Sequence, residues 1–223
     1  LLAAIPKHAL VTVKDLSTVV TMGDREARAR IFALLRVVYD GRVYRAIGGG
    51  PAGEGEALEW EGRLTLVAGC TPAMDQATAF EASLGERWLT IRLAGSDPAR
   101  SLARARFVCD RGKVASYREE ARLLARDLVL DARKRIPARL SEVAIDRLCA
   151  LAVVVAHART GIQWEGQGRY RVIVGIPTPE EPTRLVGQLH RLARCAVALG
   201  MSEEEALRLA HKAALHSVPV GRL

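Results

Sequence analysis

Ala9-Leu10-Val11-Thr12-Val13 is a short, apolar, β-branched run that ends on Lys14-Asp15 and passes into the polar Ser17-Thr18. An apolar run of this length bounded by polar residues reads as a buried strand with a carboxylate at its carboxyl end. Asp24 then precedes a pattern in which Ala27, Ile31, Leu34, Leu35 and Val38 recur at three- and four-residue spacing, closing at Tyr39-Asp40-Gly41. Aspartate before the first periodic residue and glycine after the last predict a capped helix of about four turns.

Downstream, Arg42 to Ile47 and Ala57 to Trp60 flank a glycine-rich turn and predict a hairpin, while Leu64 to Ala68 predicts a second buried strand ending at Gly69-Cys70-Thr71-Pro72. A helix is expected from about 73 to 83, and Trp88 to Leu93 reads as a third strand. Strands separated by helices favour a mainly parallel sheet covered on both faces. After Asp97-Pro98 the pattern turns helical, with segments near 98 to 108, 115 to 134, 141 to 158, 182 to 199 and 203 to 216. The last opens with the capping-box sequence Ser202-Glu203-Glu204-Glu205. The chain therefore reads as an α/β part, 1–97, followed by an α-helical part, 98–223.

Composition narrows the classes. The 223 residues are 49% apolar, enough for one sizeable core or one core with a helical satellite. The longest apolar run, Leu148 to Ala156, is far short of the roughly 18 residues of a membrane span. Leu1-Leu2-Ala3-Ala4-Ile5-Pro6 lacks the charged flank and cleavage pattern of a secretion signal and reads as a cut within a longer protein. Cys70, Cys109, Cys149 and Cys195 form no CxxC pair, so they are expected as small buried residues of a cytoplasmic protein rather than zinc ligands or disulfides.

Net charge is +8, unevenly spread. Residues 1–100 balance twelve bases with twelve acids, whereas 101–139 carry eleven against five. Such clustering points to a polyanionic partner. Within it Arg118, Arg122 and Arg126 form one stripe of a helix, interleaved with Glu119, Glu120, Asp127 and Asp131. Both a solvated face of mixed charge and a phosphate-backbone contact fit that pattern.

Gly48-Gly49-Gly50-Pro51-Ala52-Gly53 matches G-x-G-x-x-G to the letter, but it leads into an acidic loop and strand rather than a helix, so it reads as a hairpin tip. No G-x-x-x-x-G-K-[ST] loop occurs. Asp15 at a strand end is suited either to holding Mg²⁺ or to capping the following turn. Thr71 either positions a water or caps the helix after Pro72. Arg87, in Leu84-Gly85-Glu86-Arg87-Trp88, either reaches a neighbouring subunit or pairs with Glu86 at the surface.

Taken in order, Val13-Lys14-Asp15-Leu16, Tyr39-Asp40-Gly41, Trp60-Glu61-Gly62-Arg63-Leu64, Ala68-Gly69-Cys70-Thr71-Pro72 and Leu84-Gly85-Glu86-Arg87-Trp88 resemble AAA+ P-loop ATPases from the Walker B strand onward. The likeness is to ATPases of phages and integrated elements that end in a helix-turn-helix. More distantly it is to minichromosome-maintenance helicases and magnesium chelatases, which share the hairpin insertion. The resemblance implies a partial AAA+ core with a mainly parallel sheet flanked by helices, followed by an α-helical lid. It implies ATP and Mg²⁺ as cofactors, a homo-oligomeric ring, DNA as partner, no membrane, and a helicase- or translocase-like motor that is inactive as this piece alone. It makes Asp15 the magnesium carboxylate, Thr71 the sensor, Arg87 the arginine finger, and Arg184, in Glu180-Glu181-Pro182-Thr183-Arg184, a γ-phosphate contact. Two positions depart from the family pattern: Lys14-Asp15 replaces the usual Asp-Glu pair, and Thr71 replaces an asparagine. The alternative is a DNA-binding regulator or scaffold whose ATPase fold has decayed.

Overall fold

A computed structural model describes residues 6–47, 56–72, 88–93, 97–109, 111–160, 163–166, 170, 172–175 and 178–219. Gly48–Gly53, the helix expected at 73–83, and Arg87 lie outside these residues. The chain forms two compact units, Leu1–Trp88 and Leu89–Leu223. It is a mixed α/β protein in which a small parallel sheet with helices precedes a helical region.

In the first unit, β1 (His8–Val13) leads through a single turn of helix, α1 (Ser17–Val20), into α2 (Arg25–Asp40). Both expected caps of α2 form. The Asp24 side chain accepts from the Ala27 N–H at 3.0 Å, and Gly41 closes the helix at φ 91°, where a Cβ would meet the Gly62 carbonyl at 2.8 Å. Arg28 ties the first turn of α2 to the end of α1, donating to the Val20 and Met22 carbonyls at 3.2 Å each.

The hairpin forms as expected. β2 (Arg42–Ile47) pairs antiparallel with β3 (Glu56–Glu61), and its buried residues Val43 and Trp60 face each other in register. β4 (Arg63–Ala68) then runs parallel to β1 in the register His8↔Arg63 to Val13↔Ala68. The first unit closes on Leu16, Val20 and Phe32, with Val13, Val19, Leu35, Ala68 and Trp88 packed around them.

Three expectations need correction. The sheets are three separate two-stranded ladders among the described residues, and only β1–β4 is parallel. Its strands alternate half-buried with exposed side chains instead of being covered on both faces, leaving Leu10 66% and Val67 53% exposed. Trp88 to Leu93 is not a strand. The Thr90 and Arg92 N–H groups go instead to the Ser217 hydroxyl and to His216 Nδ1, both at 2.9 Å. The two-residue alternation is real, but it is spent on the end of a helix. Nor are the cysteines buried: Cys70, Cys109 and Cys195 are exposed and Cys149 is half-buried, with no disulfide among them. Cys195, for example, sits between the buried Ala193 and Ala196 on the outward side of its helix.

The second unit carries α3 (Pro98–Cys109), α4 (Arg111–Lys134), α5 (Glu142–Arg159), the short hairpin β5 (Gln163–Glu165) with β6 (Val172–Gly175), α6 (Thr183–Ala198) and α7 (Glu203–His216). Its core joins α5, α6 and α7 through Leu148, Ala152, Val155, Leu185, Leu189, Ala193, Ala196, Ala206, Ala210, Ala214 and Val218. Alanine at most contact positions lets the helix backbones approach closely. Polar contacts fix their ends. Ser141 caps α5, its hydroxyl accepting from the Ala144 N–H at 3.2 Å, and Glu203 at the start of α7 accepts from both the Ser141 N–H (2.7 Å) and its hydroxyl (2.8 Å). Ser202 and Glu205 complete the expected capping box on α7. No described helix is long and apolar enough to cross a membrane.

Candidate functional site

Asp15 and Thr71 come together. They follow adjacent parallel strands, and the ladder runs past the strand ends: the Gly69 N–H donates to the Val13 carbonyl at 2.9 Å and the Leu16 N–H to the Gly69 carbonyl at 2.8 Å. Glycine is needed at 69, because a Cβ there would stand 2.7 Å from the Lys14 carbonyl oxygen. The two crossover points therefore fix the carboxyl ends of β1 and β4 side by side.

Ser17 joins them. Its N–H donates to Asp15 Oδ1 at 2.8 Å, and its buried hydroxyl accepts from the Thr71 N–H at 2.7 Å and from Thr71 Oγ1 at 3.1 Å. The Asp15 carbonyl accepts from Thr18 Oγ1 at 2.9 Å, so the aspartate caps the turn into α1 through its side chain and its main chain together. Asp15 and Thr71 are themselves exposed. The result is a rim on which a carboxylate and two hydroxyls lie within one hydrogen-bonded chain.

Chemically this rim offers hard oxygen donors of the kind Mg²⁺ prefers, and one carboxylate with several waters is a common magnesium arrangement. Asp15 fits that use, since its second oxygen makes no hydrogen bond or ion pair among the described residues. Lys14, exposed beside it, brings a positive charge to the same edge. Among the described residues no group of three or more His, Cys, Asp or Glu side chains is arranged to hold a metal by protein ligands alone.

Arg184 lies in the first turn of α6 in the second unit, exposed and with no bonded partner among the described residues. Arg87 lies outside the described residues. Ser17 has little prominence in the sequence alone. The available signal was a serine two residues after a strand-end aspartate, which is the spacing of an Asx turn. Comparison with known proteins finds no matching family model, no matching curated protein and no matching solved structure.

Proposed function

We propose that this chain is the Walker B-to-lid portion of an AAA+ ATPase that works as a motor on DNA. The observation that carries the reading is the rim itself: Asp15 and Thr71 at the carboxyl ends of neighbouring parallel strands, linked through Ser17. Ligands of open α/β sheets bind outside the carboxyl ends of the strands, where Asp15 would hold Mg²⁺ and Thr71 would orient the attacking water. Arg184 would contact the γ-phosphate from the lid, and Arg87 would enter a neighbouring subunit's site within a homo-oligomeric ring.

The sheet supports the same reading. Parallel strands are normally covered on both faces, and among the described residues the β1–β4 ladder has two strands and leaves Leu10 and Val67 exposed, as one piece of a larger sheet would. The phosphate cradle is not encoded in residues 1–223, and the reading requires a P-loop from a preceding segment of the natural protein.

The test is magnesium-dependent ATP hydrolysis by that full-length protein. Asp15→Asn should abolish it, and Arg87→Ala should slow it by roughly 10³-fold or more, as expected for an arginine supplied in trans. Turnover undiminished by either change removes that residue from the mechanism. A full-length protein without a P-loop excludes the motor. One observation favours a second reading, a DNA-binding regulator with a decayed ATPase fold: Asp15 Oδ1 is already engaged by the Ser17 N–H, with Lys14 beside it. That reading predicts nucleotide binding without hydrolysis.

A further inference from the structure

No described residue of α3 is buried, and the helix carries Arg100, Arg104 and Arg106 with no acidic residue. None of these arginines, nor Arg118 on α4, has a hydrogen bond or ion pair among the described residues. The rest of the arginine stripe on α4 is different. Arg122 is held by both oxygens of Glu119 at 2.8 and 2.6 Å, and Arg126 meets Asp127 at 3.1 Å. Arg122 and Arg126 are thus met within their own helix, whereas the arginines of α3 have no such partner among the described residues.

At the corner between the two helices, the rings of Phe107 and Tyr117 pack with centroids 5.2 Å apart and planes inclined at 45°. Both rings stay open to solvent, Phe107 at 40% and Tyr117 at 53% exposure. Arg100, Arg104 and Phe107 fall at i, i+4 and i+7, which places them on one stripe of α3 that ends at the aromatic pair. On a helix rising 1.5 Å per residue, the three positions span roughly 10 Å.

We infer that the corner of α3 and α4 binds single-stranded DNA, with Arg100 and Arg104 against successive phosphates and the exposed faces of Phe107 and Tyr117 stacking bases. Unpaired arginines leading to open aromatic faces are the two elements of single-strand binding, charge tracking the backbone and rings carrying the bases. A duplex keeps its bases stacked inside and gives the rings nothing to hold. Only the nature of the partner, DNA, is taken from the proposed function. Nucleotide hydrolysis plays no part, so loss of ATPase activity and loss of this surface are separately measurable.

The experiment is fluorescence-anisotropy titration of the full-length protein with labelled oligo-dT and with a duplex of the same length, over a range of salt. Oligo-dT should bind more tightly than the duplex. Phe107→Ala should weaken oligo-dT binding roughly 5- to 150-fold, the range for one stacked base, while Phe107→Tyr keeps it. Arg100→Ala and Arg104→Ala should each lower the slope of log K against log salt by about 0.7. Arg122→Ala, whose guanidinium is occupied by Glu119, should leave that slope unchanged. All these positions are exposed, and circular dichroism checks that each variant keeps its helix content. Absence of oligo-dT binding at low salt overturns the inference. So does a Phe107→Ala variant that binds like the parent, a duplex bound as tightly as the single strand, or an Arg122→Ala effect equal to that of Arg104→Ala.

Discussion

The two units reach a closed interior by different means. Among the described residues the first relies on a few large side chains, Leu16, Val20 and Phe32 in one cluster and the Val43–Trp60 pair in the hairpin, held together by glycines at crowded backbone crossings. At Gly62 a Cβ would lie 2.5 Å from the Lys7 carbonyl oxygen and 2.6 Å from the Trp60 ring, so the approach of β1 to the hairpin depends on a missing side chain. The second unit spreads its burial over many small residues on three helices and secures the helix ends with side-chain caps. A core of few large groups concentrates stability at single positions, and a core of many small ones distributes it.

Deleting one large side chain from each core separates the two. Phe32→Ala should cost about 3–5 kcal/mol, and Leu189→Ala, which removes a fully buried leucine, about 2–5 kcal/mol. The regional pattern matters more than the totals. Hydrogen exchange should show Phe32→Ala stripping protection from β1, α2 and β4 while α5, α6 and α7 keep theirs, and Leu189→Ala should do the reverse. Uniform loss of protection along the chain in both variants would show that the two cores unfold as one.

The cap of α7 contributes a smaller amount. Ser202 Oγ accepts from the Glu205 N–H at 3.3 Å, and the Glu205 carboxylate returns to the Ser202 N–H at 2.9 Å. Ser202→Ala should destabilise the second unit by about 0.5–2 kcal/mol, measured by urea denaturation, with exchange in β1 and β4 unchanged.

Much of this was legible because it is local. The caps Asp24, Gly41 and Ser202, the helical periodicity after Asp97, and the paired runs of the hairpin all depend on neighbours within a few residues. What the sequence hid depends on distant partners. Thr90 and Arg92 alternate like strand residues, yet their N–H groups find Ser217 and His216 more than 120 residues away, where a helix end presents acceptors at the right spacing. Ser17 reads as an ordinary polar residue after a strand, and its link to Thr71 exists only because β4 lies beside β1. The exposed faces of Leu10 and Val67 were equally invisible, because an apolar strand reads as buried whether or not a second layer covers it.

The second unit also carries a built-in response to acid. His216 Nδ1 accepts the Arg92 N–H, which requires the nitrogen to be unprotonated, and the Arg92 guanidinium reaches the carbonyls of His216 and Val218. Burial, then the charges of Lys212 and Arg92, pull the imidazole below its ordinary 6.5. A group whose folded pKa is depressed binds its proton more readily when unfolded, so its stabilisation is complete above pH 6.5 and declines as pH falls through the folded value. The carboxylates of Glu203 and Glu205 are likewise held below 4.5, by the N–H and hydroxyl of Ser141 and of Ser202 respectively. Their contribution is complete above pH 4.5 and is lost as pH falls below it. The second unit should therefore weaken in two steps, the first below pH 6.5 and the second below pH 4.5. His216→Asn, whose amide oxygen can still accept the Arg92 N–H but does not titrate, should remove the first step and leave the second. Melting temperatures followed across this range report both steps, and a first step that survives in His216→Asn would assign it to another group.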